Sequence, residues 1–294
     1  MTSLILNADD FGLTAGVNQS VMELHSARAL TSATLMATGQ RFSPAAAAAS
    51  STRSLGTGCH VVLVDGTPAV PPTELPSLTL PSGEFRTTLG SFVGALLRGS
   101  IPEAEIEIEA IAQIRALQAA GVRVTHLDTH KHTHLFPRVL RPLLRAAILC
   151  GVPAIRNPFE PDWALAATPN APLARRLQIR LLRTQRSEFL RLVRSSGLAT
   201  TDGAIGVLAT GTLNAKTLRN LLHAMPTGRW ELVCHPGYVD STLDGVKTRL
   251  RESRAIEHAA LLETIPVLRR ERPELEIINF RNLTAALSKS QPKG

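Results

Sequence analysis

No C-x-x-C pair occurs in the chain. Its three cysteines, Cys59, Cys150 and Cys234, stand far apart, which argues against a disulfide framework and against a structural zinc knuckle. Reduced thiols in a packed interior are the expectation. Long apolar runs are also missing, and "LIL" near the N-terminus runs straight into "NADD" without the basic start, apolar core or cleavage site of a secretory leader. The chain therefore reads as cytoplasmic. Aromatic residues make up only 4% of the sequence, so stacking platforms for bases are few, and no helix-turn-helix, zinc-finger or RRM signature accompanies the net charge of +8. Nucleic acid is not an expected partner.

What is present is an α/β pattern. Short β-type runs recur at 3–8, 32–37, 58–64, 122–128, 153–157, 204–209, 230–237 and 276–280, with helical stretches at 15–28, 103–120, 136–149, 172–195, 214–224 and 248–270. Eight strand candidates alternating with helices predict a parallel, TIM-like (β/α) barrel. One domain over 1–287 and a disordered tail over 288–294 are expected. The Pro- and Gly-rich connection from 65 to 102 reads as one long functional loop. At 294 residues and 44% hydrophobic, the chain can bury a sizeable core.

Active sites of parallel α/β proteins gather beyond the carboxyl ends of the strands. The first candidate strand ends in Asp9 and Asp10, the third carries His60, the fourth leads through His126 and Asp128 to His130, the fifth delivers Arg156 and the seventh finishes in His235. Each has a bland reading. "DDFG" is a good exposed turn, and a lone His60 in an apolar strand is ordinarily a satisfied core side chain. Arg156 would suit a surface salt bridge, and His235 a turn before Pro236.

The run "HLDTHKHTH" (126–134) puts four histidines and an aspartate on alternate positions. In an extended chain such side chains stand about 6.6 Å apart and five of them span about 26 Å, so one ion cannot hold them all. The run supplies one ligand, or two, and the others must come from elsewhere. His130 is preferred because it lies just past the predicted strand. With Asp10 and His60 it completes a two-His-one-carboxylate set that leaves coordination positions open. Asp128 is a candidate brace for an imidazole nitrogen, and His134 for a substrate contact.

"LILNADDFGLTAGVNQSV", "GCHVVLVDGTP", "THLDTHKHTHLFP", "IRNP" and "HPG", in this order, resemble the YdjC-like carbohydrate deacetylases, a family that includes chitooligosaccharide deacetylases and hopanoid-biosynthesis-associated deacetylases. The likeness runs from residue 4 to about residue 240. It implies an irregular (β/α) barrel that removes acetyl groups from N-acetylated amino sugars with one divalent metal. It also implies Asp10, His60 and His130 as ligands and Asp9 as base. The family points to magnesium, whereas two imidazoles and a carboxylate suit zinc or another first-row ion better.

Within that chemistry His235 is the candidate acid for the departing amine, and Arg156 the group that orients Asp9 and keeps it ionised. The substrate is expected to be an acetylated oligosaccharide or glycolipid, with few aromatic rings to stack a long oligosaccharide. The Arg-rich helical stretch at 173–194 suits either the solvated face of a barrel helix or peripheral contact with a membrane, and a homodimer is left open. Two rival functions remain open: a metal-dependent phosphoesterase or amidohydrolase, which commonly starts with His-x-His on the first strand, and a non-catalytic metal-binding protein built around 126–134.

Overall fold

A computed structural model describes residues 2–283. Strand β1 (Thr2–Phe11), all ten residues of it buried, is the axis of the molecule. On one side it pairs along Ser3–Ala8 with β6 (Arg229–Cys234). On the other, its first half pairs with β7 (Leu275–Ile278) and its second half with β2 (Ser32–Leu35). The sheet continues through β3 (Gly56–Val61) to β4 (Leu127–Thr129), and beyond β6 to β5 (Gly203–Ile205). All named pairings are parallel. Strands of a parallel sheet covered by helices read as apolar runs, as "LIL", "ATL" and "LVC" do here.

The sheet curls into a half-barrel wrapped by helices, an α/β TIM-like fold. Residues 153–157, expected as a strand, form only single bridges: Leu127 to Ile155, and Ala154 to Ala199. Pro153 lacks a donor and Pro158 follows at once, so a longer ladder cannot form. These bridges, with Ala204 N–H on Phe159 O, cross the gap between edge strands β4 and β5. The fourth strand is also shorter than expected, three residues against 122–128.

Helices α1 (Ala15–Ser26), α4 (Glu103–Ala119), after the long connection, and α5 (Pro137–Leu149) fall close to the expected positions, while α2 (Phe42–Ser51) and α6 (Asp162–Ala167) are further helices. The connection from 65 to 102 is not wholly a loop. It contains a 3-10 turn at Pro72–Glu74 and helix α3 (Leu89–Leu97), capped by Thr88 and packed through Phe92 and Leu96. Three side chains on one face of α4 fasten this connection and the strand end that leads into it. Glu105 accepts from Ser77 and Leu78 N–H, Glu109 from Ala69 and Val70 N–H, and Gln113 bonds both main-chain groups of Val62. The stretch 172–195, expected as one helix, is two: α7 (Leu173–Leu182) and α8 (Arg186–Ser196), joined by a 3-10 turn at Arg183–Gln185. Helices α9 (Ala215–Ala224), α10 (Ser241–Asp244) and α11 (Glu252–Glu271) complete the fold. The tail expected at 288–294 lies outside the described residues. No helix among those described is long and apolar enough to cross a membrane.

One packing contact joins β3 to the segment that follows β7. The His126 ring stacks on Phe280, with centroids 3.7 Å apart, and lies over Gly58 of β3. A Cβ at Gly58 would stand 2.5–2.7 Å from three ring atoms. Trapped against Phe280, the ring cannot retreat. Gly58→Ala should destabilise the protein by about 1–3 kcal/mol through overpacking, read as a lowered melting temperature in thermal unfolding. An unchanged melting temperature would show that the ring is free to move.

Candidate metal and hydrolytic centre

Adjacent residues of a strand ordinarily face opposite ways, yet Asp9 and Asp10 both line one cavity. The reason is local. The β1–β2 register shifts between Ala8 and Phe11, and Asp10 takes a left-handed φ of 66°. A bulge of this kind re-aims a side chain, and its strain persists only where the surroundings hold it. The holding group is Arg254 on α11, whose Nη2 donates to Asp10 Oδ2 at 2.6 Å, while Nε donates to Leu250 O.

Asp10 Oδ1 is thereby turned toward two imidazoles, His60 Nε2 at 3.6 Å and His130 Nδ1 at 3.5 Å. Donors about 2.1 Å from a tetrahedral ion lie roughly 3.4 Å apart, so the spacing suits a first-row cation. The tautomer suits one as well. Asp128 Oδ1 accepts from His60 Nδ1 at 2.8 Å, which leaves the Nε2 lone pair facing Asp10. Burial lowers the His60 pKa, but Asp128 first and then Asp9 and Asp10 raise it to about 9. A proton therefore settles at this position among three carboxylates, where a cation would replace it. A second donor group, Asp9, His60 and Asp128, also converges. It is the poorer candidate, because Asp9 and Asp128 are both already engaged by the Arg156 guanidinium.

Arg156, fully buried, donates Nη1 and Nη2 to the two oxygens of Asp9 at 2.8 and 2.6 Å, pairs with Asp128, and donates Nε to Glu231 at 2.8 Å. Asn7 and Thr34 add hydrogen bonds to Asp9 Oδ1. Burial is the largest influence on Asp9 and would raise its pKa, but the charge and hydrogen bond of Arg156, with the nearby His60 and His235, together outweigh it and hold the carboxyl well below the ordinary range. Burial pushes Glu231 up to about 7. His235 Nε2 lies 3.7 Å from Asp9 Oδ2, and its main-chain N–H is held by Glu257 at 2.6 Å. Burial brings His235 down to about 4 despite the neighbouring carboxylates, leaving it neutral near pH 7.

The other histidines of the run part company. The chain turns at Lys131 and His132, both with positive φ, into a 3-10 segment at His130–Leu135, so the alternation ends at His130. His134, expected to meet substrate, is fully buried, hydrogen-bonded through Nδ1 to Thr129 Oγ1, and absent from the cavity wall. His132 lines the cavity in its place. His126 is fully buried and bonds Asn7 through Nε2.

Residues the sequence reading missed are Thr34, Glu231, Arg254 and Glu257. Glu231 had a signal, an acid inside the apolar "WELVC" of a buried strand. Arg254 and Glu257 had none, since "ESRAIEH" reads like any charged helical face. The cavity, about 1150 Å³, joins this polar cluster to apolar walls that include Leu89, Val93, Phe136, Phe159, Ile179 and Leu182.

Among the described residues, Arg254 is the cation paired with Asp10 Oδ2. Arg254→Met should weaken binding of zinc to the metal-stripped protein by about 10–100-fold, measured by calorimetric titration, with Arg254→Lys recovering part of the loss. Unaltered affinity in both variants would mean that Asp10 needs no holder.

The YdjC-like protein family model matches residues 3–265. A carbohydrate deacetylase of Geobacillus stearothermophilus is 31% identical over 94% of this chain and 96% of its own length. One from Thermoanaerobacter pseudethanolicus is 26% identical over 90% and 92% respectively. One from Brevibacillus brevis is 40% identical, though over only 53% of this chain and 59% of that protein. Among solved structures, a proposed cellobiose-phosphate cleavage protein of Enterococcus faecalis V583 superposes with a TM-score of 0.76 at 24% identity, covering 96% of this chain and 98% of that one, a likeness of fold. With the family model matched over most of its length, this chain belongs to the YdjC-like proteins.

Proposed function

We propose that the protein is a metal-dependent carbohydrate deacetylase that hydrolyses the N-acetyl group of an amino sugar. The observation that carries this reading is the convergence of Asp10 Oδ1, His60 Nε2 and His130 Nδ1 beside the unligated Asp9 and His235, in a cavity large enough for a sugar. Relatives that align over nearly the whole chain are carbohydrate deacetylases.

Asp10, His60 and His130 would hold the ion. A divalent ion there would polarise the amide carbonyl and bring a water toward a pKa of about 7, still a weaker acid than the Asp9 carboxyl, so the proton transfer to Asp9 runs uphill and is completed by the onward transfer to His235. Arg156 guarantees the charge of Asp9 and fixes its orientation, at the expense of its basicity. Asp9 takes the proton of the attacking water and can pass it readily to His235, the neutral imidazole 3.7 Å from Oδ2. His235 then delivers it to the amine nitrogen as the C–N bond breaks, leaving acetate and a free amine. Because His235 starts neutral, it must receive a proton before it can give one. The two imidazole donors favour zinc or another first-row ion over magnesium.

On the substrate, the apolar walls, with only Phe136 and Phe159 as aromatic rings among the described residues, favour a sugar carrying an apolar group over a long oligosaccharide. Trp163 and Trp230 pack edge-to-face on each other at 5.1 Å and line no part of the cavity, so they offer no stacking platform there. The isolated, buried thiols of Cys59, Cys150 and Cys234 suit a reducing, cytoplasmic setting.

Acetate release from N-acetylglucosaminyl sugars and glycolipids tests the reading, with phosphate release from phosphate esters as the contrasting assay. Asp9→Asn should lower kcat by about 10²–10⁴-fold while metal content, measured by mass spectrometry of the purified protein, stays unchanged. His130→Ala should lose metal and turnover together. Full activity in Asp9→Asn, or in chelator-treated protein, would overturn the mechanism.

A further inference from the structure

We propose that α7 docks the protein on an anionic lipid surface, with the mouth of the cavity turned toward the bilayer. The inference goes beyond deacetylation and rests on one helix. Not one residue of α7 is buried. Leu173, Leu177 and Leu181, at four-residue spacing and so on one face, are 70%, 55% and 70% exposed. A leucine stripe that meets no core needs another apolar phase to cover it.

Charge selects that phase. Five arginines, Arg175, Arg176, Arg180, Arg183 and Arg186, fall on or just after α7, and no acid occurs between Asp162 and Glu188. Arg183 pairs with Asp162, but Arg175, Arg176 and Arg186 donate to main-chain carbonyls, which leaves their charge in place. Apolar residues on one face, arginines beside them and low net hydrophobicity define a helix that lies in the interface of an anionic membrane, where exposed Arg180 faces the headgroups and the other arginines add to the positive field. A second copy of this chain would instead set arginine against arginine across the contact.

Position gives the docking a consequence. Ala174, Arg175, Gln178, Ile179 and Leu182 line the cavity from the same helix, and Leu181 belongs both to its wall and to the exposed stripe. Leu181 thus joins the apolar part of the cavity wall to the leucine stripe on the outer face of α7. A lipid-borne ligand could pass along it without its apolar part entering water.

Cosedimentation of the full chain with phosphatidylcholine vesicles, with and without phosphatidylglycerol, tests the proposal at low and high salt. No substrate is present, so the outcome is independent of whether the protein deacetylates anything. Binding to the anionic vesicles that weakens with salt, and little binding to phosphatidylcholine alone, is expected. Leu173→Glu with Leu177→Glu, two side chains outside the cavity wall, should reduce it at least tenfold, and Arg180→Glu should reduce it too, all with the wild-type melting temperature. Absence of binding by the wild type at low salt, or equal binding by the leucine variant, overturns the proposal. So does a wild-type dimer in light scattering that the leucine variant turns into a monomer, for the stripe would then be an interface between copies.

Discussion

A single guanidinium, fully buried where β1, β4 and β6 present their acids, ties the centre together. Arg156 reaches Asp9 on β1, Asp128 on β4 and Glu231 on β6. A buried charge is tolerated only when it is paired and fully hydrogen-bonded, and removing one partner leaves the rest uncompensated. The three acids are therefore mutually dependent through Arg156. Its fork keeps Asp9 charged and oriented, and its hold on Asp128 positions the acceptor that sets the tautomer of His60.

Around that pin the charges are layered. Arg156 stands behind Asp9, and Arg254 stands behind Asp10, so each of two adjacent carboxylates has its own cation and its own task. The bulge at Asp10 makes the division possible, since a regular strand would have turned one of them away from the cavity. His60 bonds Asp128 behind it and faces Asp10 in front, while His130 remains partly open to the cavity. Such an arrangement places ligands on rigid strand ends and leaves the access side to loops, the division of labour usual for barrels. Helix α7 extends the access side outward, from the cavity wall to the exposed leucine stripe.

Much of this was legible in the linear order of residues. Apolar runs alternating with helical spacing specified a parallel α/β barrel, because strand burial on two faces and helix burial on one leave different periods in the chain. Asp9, Asp10, His60, His130 and His235 stand out because each lies at or near the carboxyl end of an apolar run, and the deacetylase resemblance rests on the same residues. Helix α3 is hidden in the sequence because proline and glycine on either side of it dominate the composition of 65–102. The break between α7 and α8 is hidden because arginine and leucine continue the pattern through it.

What the chain's order could not decide is direction and partnership. Which histidine of the run faces Asp10 depends on a reversal at Lys131 and His132, and which is locked in the core depends on Phe280 and Phe189, remote in sequence. Arg254 and Glu257 look like solvated helix residues until α11 packs over the strand ends and makes them the holders of Asp10 and of the His235 main chain. Residue types and their spacing are local and survive in the sequence. The burial that turns a surface charge into a positioning group comes from contacts such as that of Arg254 with Asp10, 244 residues apart in the chain, and only the folded molecule contains them.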